Sequence, residues 1–210
     1  MAEELHIEIL PAEQLRLFKL LAGEPFIKDF YLAGGTGLAL YIGHRQSFDF
    51  DFFIPADFDT SQIINILTRI GRYERGNEEK NTINGILNGI RISFFGYRYD
   101  IIDDFRIFNN ISLAGIRDIA AMKLEAIAGR GSKKDFIDLF FLLKRYSLEE
   151  IFSFHTLKYG IGLSNQYHHL KSLVYFSDAE AEAMPLMAQP LLWDDVKSRI
   201  ITCTKQFQGF

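Results

Sequence analysis

A single cysteine, Cys203, excludes an intramolecular disulfide and any cysteine-built metal site, and it fits a reducing compartment. It reads as a free, buried thiol. Long apolar runs are missing as well: no uninterrupted stretch is long enough for a bilayer, and the opening MAEELHIEIL is acidic, without the basic and apolar regions of a secretory signal. The expectation is a cytoplasmic protein with no membrane partner. Positive charge is in the minority, 23 Lys and Arg against 27 Asp and Glu, for a formal net charge of −4. That balance argues against a surface that embraces nucleic acid everywhere and leaves room for a local basic cleft, for which Arg130, Lys133 and Lys134 are the candidates. Internal repeats, low-complexity tracts and flexible linkers are absent too. What is present in quantity is apolar residue, 48% of 210 positions, enough to bury the core of one larger domain or two small ones.

The rest of the chain is organised around residues 30–53, FYLAGGTGLALYIGHRQSFDFDFF. Phe30 to Ala33 form a short strand-type run stopped by Gly34 and Gly35. Thr36 can cap a short helix whose apolar positions are Leu38, Ala39, Tyr41 and Ile42, with Gly43 as its stop ahead of His44 and Arg45. A second strand follows, in which period two sends Asp49 and Asp51 to one face and Phe48, Phe50 and Phe52 to the core. Two carboxylates about 7 Å apart along a strand, at ~3.3 Å per residue, repel unless a positive charge lies between them. A divalent metal is the economical partner.

Before this stretch, residues 11–21 carry a helical stripe of Leu15, Phe18 and Leu21 with Pro11 in the first turn. After it, Ile63, Ile64, Leu67 and Ile70 predict a helix ending near Gly71. Residues 82–87 and 90–95 read as strands joined at Asn88-Gly89, a strong hairpin turn, and residues 105–108 as one more short strand. Asp103 and Asp104 read as loop acids. Helical periodicity resumes at Gly115 and predicts helices over 115–128, over DFIDLFFLLKRY, and over 148–158, 164–175 and 193–207, with breaks at Ser177-Asp178 and at 185–190. The composition shift near Ser112 therefore divides an N-terminal sheet-and-helix part, residues 1–112, from a helical part, residues 113–210, and the fold class is α+β.

Strand, Gly-Gly-Thr turn, helix, and a strand bearing Asp-x-Asp make a coherent nucleotide site. Glycines let backbone amides approach phosphate, Thr36 adds a hydroxyl, and a helix N-terminus favours negative charge. Asp49 and Asp51 would hold Mg²⁺ against a triphosphate and position its α-phosphate for in-line attack. Neither half is specific alone; their conjunction is.

The segment GGTGLALYIGHRQSFDFDFF resembles the signature of the DNA polymerase beta type nucleotidyltransferases, and more closely that of the AbiEii/AbiGii toxin family, with its GGTALAL turn and HR-x-S-x-D-x-D run. The likeness continues in DIAAMKLEAIAGRGSKKDFIDLFFLL, similar to the family's second block, and in LVYFSDAEAEAMP and WDDVK near the end. It implies an N-terminal polymerase-beta-like domain. It implies Gly34, Gly35 and Thr36 at the triphosphate, Asp49 and Asp51 as metal-binding acids, and Arg45 and Ser47 as the basic and hydroxyl positions before them. It also implies Lys123 at phosphate or base, Asp135 as general base or in positioning, and Lys134 and Asp138 at the nucleotide wall. The expected cofactor is Mg²⁺ or Mn²⁺ with an NTP as substrate; the expected acceptor is RNA, tRNA included, or protein; the expected partner is a cognate antitoxin. Polymerase beta type enzymes commonly carry a third strand carboxylate, and IRISFFGY offers Ser93 there instead. An alternative expectation is therefore a catalytically weakened nucleotide-binding module acting through a protein partner.

Blander roles stand beside several of these. Lys123 suits an exposed helix face, Lys134 and Asp138 suit an ordinary i,i+4 ion pair, and His44 suits either a phosphate or a helix terminus. His168 and His169 show no evident set of metal-ligand partners and read as surface or core polar residues.

Overall fold

A computed structural model of the chain describes residues 4–160 and 165–207. A seven-stranded mixed sheet forms its centre, with strands β1 (Tyr31–Leu32), β2 (Phe50–Ile54), β3 (Tyr73–Glu79), β4 (Thr82–Leu87), β5 (Ile90–Gly96), β6 (Arg106–Phe108) and β7 (Ile111–Leu113). Their order is β3-β4-β5-β2-β1-β7-β6. Two pairings are parallel, β1 with β7 and β2 with β5; the others are antiparallel. Asn88 (φ 53°) and Gly89 (φ 84°) both take the left-handed conformation that the two-residue hairpin between β4 and β5 requires.

Three helices belong to the sheet half: α1 (Ala12–Ala22), α2 (Gly34–Ile42) and α3 (Thr60–Ile70). The sheet's two faces are chemically distinct. Phe50 and Phe52 are fully buried on one, where Phe50 meets Phe18 of α1 and Phe52 stacks on Phe94 of β5. The alternate residues of β2, Asp51 and Phe53, open on the other. Phe48 departs from the expected alternation: it precedes the first ladder residue, Phe50, and is 51% exposed.

The chain then turns helical, with α4 (Ile116–Gly129), α5 (Lys133–Leu142), α6 (Leu148–Tyr159), α7 (Gln166–Leu173), α8 (Ser177–Glu180) and α9 (Trp193–Gln206). Ser147 and Glu150 form a reciprocal capping box at the start of α6. Ser164, where the sequence pattern starts its helix, lies outside the described residues; within them Asn165 caps α7 at His168 N–H. Both α4 and α5 pack on α2, and a continuous apolar core runs from Leu5 to Ile200 through sheet and helices. Burying that much apolar side chain at ~25 cal/mol per Å² is what fixes α4 and α5 over the Asp51 face. No helix among the described residues is long and apolar enough to cross a membrane.

Candidate active site

The turn after β1 is built by close approach. Gly34 has φ +63°, and a Cβ there would lie 2.9 Å from Asp51 Oδ2; a Cβ on Gly35 would lie 2.5 Å from the Arg45 guanidinium. A side chain at either position displaces an acid or a cation of the site, so these glycines serve side-chain packing as well as backbone approach. Helix α2 begins at Gly34 with Ala33 as N-cap, so Thr36 lies inside the helix. The Thr36 hydroxyl is buried; it lies 2.8 Å from Ser47 Oγ and donates to the carbonyl of Asp49. Thr36 and Ser47 thus hold the Asp49 backbone against α2.

Two acid pairs meet here in opposite condition. On β2 and just before it, Asp51 and Asp49 share the open face. Burial, reinforced by the charge of Asp49, raises the Asp51 pKa, and no hydrogen bond to its carboxyl oxygens is present among the described residues. Asp49 has one cation, Lys134, at 3.3 Å. On α5, Asp135 and Asp138 are fully buried and saturated. Asp138 accepts from Arg45 Nε and Nη2 at 2.7 and 2.9 Å, from His44 Nε2 at 2.8 Å, and pairs with Lys123 Nζ at 2.6 Å. Asp135 accepts from Lys123 Nζ at 2.8 Å, Arg130 Nε at 3.0 Å and Ser132 Oγ at 2.6 Å. Burial opposes charge on both, yet the neighbouring cations hold their carboxyls well below the usual range. Burial likewise opposes charge on Arg45 and Lys123, and the same two acids outweigh it and raise both pKa values. His44 is buried against Phe141, and burial keeps its imidazole neutral against the pull of Asp138.

Lys123, Arg45, Asp135 and Asp138 therefore form a buried lattice behind the glycine turn, and Lys123 is not a solvent-exposed helix residue. Lys134 pairs with Asp49 rather than with Asp138 as an i,i+4 partner. Arg130, Lys133 and Lys134 do not make one basic patch: Lys133 is buried, donating to the carbonyls of Glu180 and Glu182 and lying 5.1 Å from the Trp193 ring centre. Ser93 sits in register with Asp51 across the β2–β5 pair, where a third strand acid would complete the set.

Clefts open on both sides of the acids. One, about 400 Å³, is lined by Gly34, Gly35 and Asp51 with Lys123 and Arg130, and by the apolar Phe53, Phe95 and Tyr97. The other, about 360 Å³, is lined by Asp49, Ser47, Arg45, Arg91, Lys134 and Pro185. Its far edge is made by residues 185–188, which lie over the His44–Gln46 segment: Gln46 N–H donates to Leu186 and Ala188 N–H to His44, both at 2.8–2.9 Å. The expectation for 185–190 was only a break. Arg91 and Phe95 had a readable signal in IRISFF, whose period two puts them beside Ser93 on the Asp51 face; Tyr97 and Pro185 had none. As a donor set, two carboxylates with a hydroxyl neighbour and a surplus of negative charge suit a hard divalent cation.

Comparison with known proteins places the chain in a family. Residues 16–105 match the family of nucleotidyl transferase AbiEii toxins of type IV toxin-antitoxin systems. An uncharacterized protein of Aquifex aeolicus is 41% identical over 180 residues, covering 82% of this chain and 86% of that one. In fold, the chain is similar to MenT4, a nucleotidyltransferase toxin from Mycobacterium tuberculosis (TM-score 0.57, 13% identity, 93% of this chain and 83% of that one). It is similar also to a putative nucleotidyltransferase from Helicobacter pylori (TM-score 0.54, 18% identity, 90% and 88%). With a mixed sheet of the same architecture and the glycine turn and strand acids inside the matched segment, the chain belongs to the AbiEii nucleotidyl transferase toxin family.

Proposed function

We propose that this toxin-family protein transfers a nucleoside monophosphate from an NTP to an RNA acceptor, tRNA being the first to try, with Asp49 and Asp51 holding Mg²⁺ or Mn²⁺. The observation that carries the reading is the contrast between a strand acid pair with a single cation, Lys134, and the acids behind it that engage Arg45, Lys123 and Arg130. When bound, the metal supplies positive charge to the α-phosphate and the developing negative charge. The residues do the rest. Amides of the Gly34-Gly35 turn at the α2 N-terminus receive phosphate oxygens, with Arg130 at the edge of the same cleft. Phe95 and Tyr97 offer ring faces to the base. Asp135 and Asp138 hold Lys123 and Arg45 in place; held so far toward the carboxylate, Asp135 is a positioning residue and a poor general base. The second cleft, with Arg45, Arg91 and Lys134, leads to Asp49 from the side opposite the base and suits a polyanionic acceptor strand better than a protein side chain. A cognate antitoxin would silence the protein by covering these mouths.

One observation favours a second reading. Ser93 in place of a third acid suits a module that binds NTP, transfers it weakly and acts through a partner. Incubation with each labelled NTP, Mg²⁺ or Mn²⁺ and total RNA separates the two. Label on RNA with wild type, lost in Asp49→Ala and Asp51→Ala, supports transfer. Saturable NTP binding with no label on RNA or protein over a broad acceptor screen establishes the second reading, and binding and transfer unchanged in both variants overturn the site.

A further inference from the structure

Two residues beyond Lys123, α4 presents Glu125 at the rim of the 400 Å³ cleft. Its Oε1 lies 2.5 Å from His155 Nε2 of α6 and 2.9 Å from His169 Nε2 of α7, and the three ligand atoms lie within 4.8 Å of one another. His155 and His169 are 0% and 3% exposed at the side chain, while Glu125 is 41% exposed. His169 Nδ1 stands 2.9 Å from the Asn165 carbonyl, which can only accept, so Nδ1 carries a proton and Nε2 is the nitrogen turned to Glu125. His155 Nδ1 is buried without a partner, and the tautomer with its proton on Nε2 faces Glu125. Two imidazole nitrogens thus converge on one carboxylate oxygen at the cleft rim.

We propose that Glu125, His155 and His169 bind one divalent transition-metal ion of the Zn²⁺ type. Two imidazole nitrogens and one carboxylate are the donors such ions prefer, and a poor set for Mg²⁺. The Asn165 carbonyl is the outer partner that fixes the His169 tautomer for metal binding. Around an ion with bonds of about 2.0–2.1 Å the donor atoms must spread, and the half-exposed Glu125 is free to swing out and make room. Binding transfers the His155 proton from Nε2 to the unpartnered Nδ1. That step makes binding weaker than at a site whose ligands all have outer partners. The ion would tie α4, which carries Lys123, to α6 and α7, so that metal supply tunes the rigidity of one cleft wall.

The full chain carrying Asp49→Asn and Asp51→Asn, which removes the strand acids as competing ligands, is titrated with Co²⁺ and read by visible absorption. The expected result is one equivalent of Co²⁺ with intense d–d bands, bleached by Zn²⁺, and at least a ten-fold weaker dissociation constant in each of Glu125→Gln and His169→Gln added to that background. No saturable bands, or bands of equal affinity in the variants, overturn the site. Glu125 is half exposed, so Glu125→Gln decides even where His169→Gln fails to fold. None of these readouts uses nucleotide transfer, so this site and the proposed activity fail separately.

Discussion

Asp49 and Asp51 on one side, Asp135 and Asp138 on the other, are two short-spaced acid pairs a few residues' width apart in space and opposite in state. The α5 pair accepts from every cation around it and is held ionised; the strand pair has Lys134 on one member, and its inner member is disfavoured as an anion by burial and by its neighbour. The difference teaches which acids wait for a ligand. Four cations, Arg45, Lys123, Arg130 and Lys134, face four carboxylates here, but Asp135 and Asp138 engage the first three directly. What is left is one ammonium against two acids, an imbalance that a divalent ion corrects.

The largest test of that contrast is to neutralise each pair. Asp49→Asn or Asp51→Asn should abolish transfer by at least about four powers of ten, ~5.5 kcal/mol of transition-state stabilisation, with thermal stability unchanged or higher. Labelled-NTP transfer and calorimetry on the same preparations check both halves. Asp138→Ala should do the reverse: about 4 kcal/mol of stability lost, read by urea unfolding, because Arg45 is left buried without its counter-ion and Lys123 keeps only Asp135. If Asp138→Ala leaves stability intact, the lattice is not what holds Lys123 and Arg45.

The pairs should also part company in acid. Asp138 and Asp135 have depressed folded-state pKa values, so their contribution is present above the unfolded value of about 3.9 and is lost as pH falls through the folded ones. Asp51 is raised, so its ionisation costs stability as pH climbs from the unfolded value through the folded one. Melting curves from pH 3 to 7 should therefore show a smaller neutral-pH cost in Asp51→Asn and a shallower acid loss in Asp138→Asn; parallel curves for the two variants would erase the distinction.

Much of this frame is legible along the chain because it rests on local chemistry. Asn88-Gly89 needs its left-handed turn wherever it occurs, and alternation in FDFDFF separates Asp51 from Phe50 and Phe52 without tertiary knowledge. Local rules fail where a partner arrives from afar. Strand β7 is three residues long and is held by pairing with β1 and β6. Lys158, in the last turn of α6, is fully buried on Asp118 at 2.7 Å, and no local pattern signals that pairing. Asp135, Asp138 and Lys123 carry a recognisable pattern, but which acid meets which cation depends on α5 crossing α2. Glu125, His155 and His169 are 44 residues apart end to end, and only the packing of α4, α6 and α7 makes them a set.

The smallest expected effect bears on why the strand pair has two members instead of three. In the parallel β2–β5 ladder Ser93 is the register partner of Asp51, so Ser93→Asp puts a third carboxylate on the same face without moving the backbone. Without metal, a third like charge should lower stability by about 1 kcal/mol, since directly opposed like charges across a ladder destabilise by that order. With Mg²⁺ or Mn²⁺ the sign should reverse: the melting temperature should rise with metal concentration more steeply than in wild type, because an ion that binds only the folded state stabilises it by RT ln(1 + [metal]/Kd). The same variant should need less metal for half-maximal transfer if two acids and a hydroxyl form the working site. Should Ser93→Asp gain no metal dependence, then Asp51 and Ser93 do not share an ion, and the strand acids act through Lys134 and the glycine turn alone.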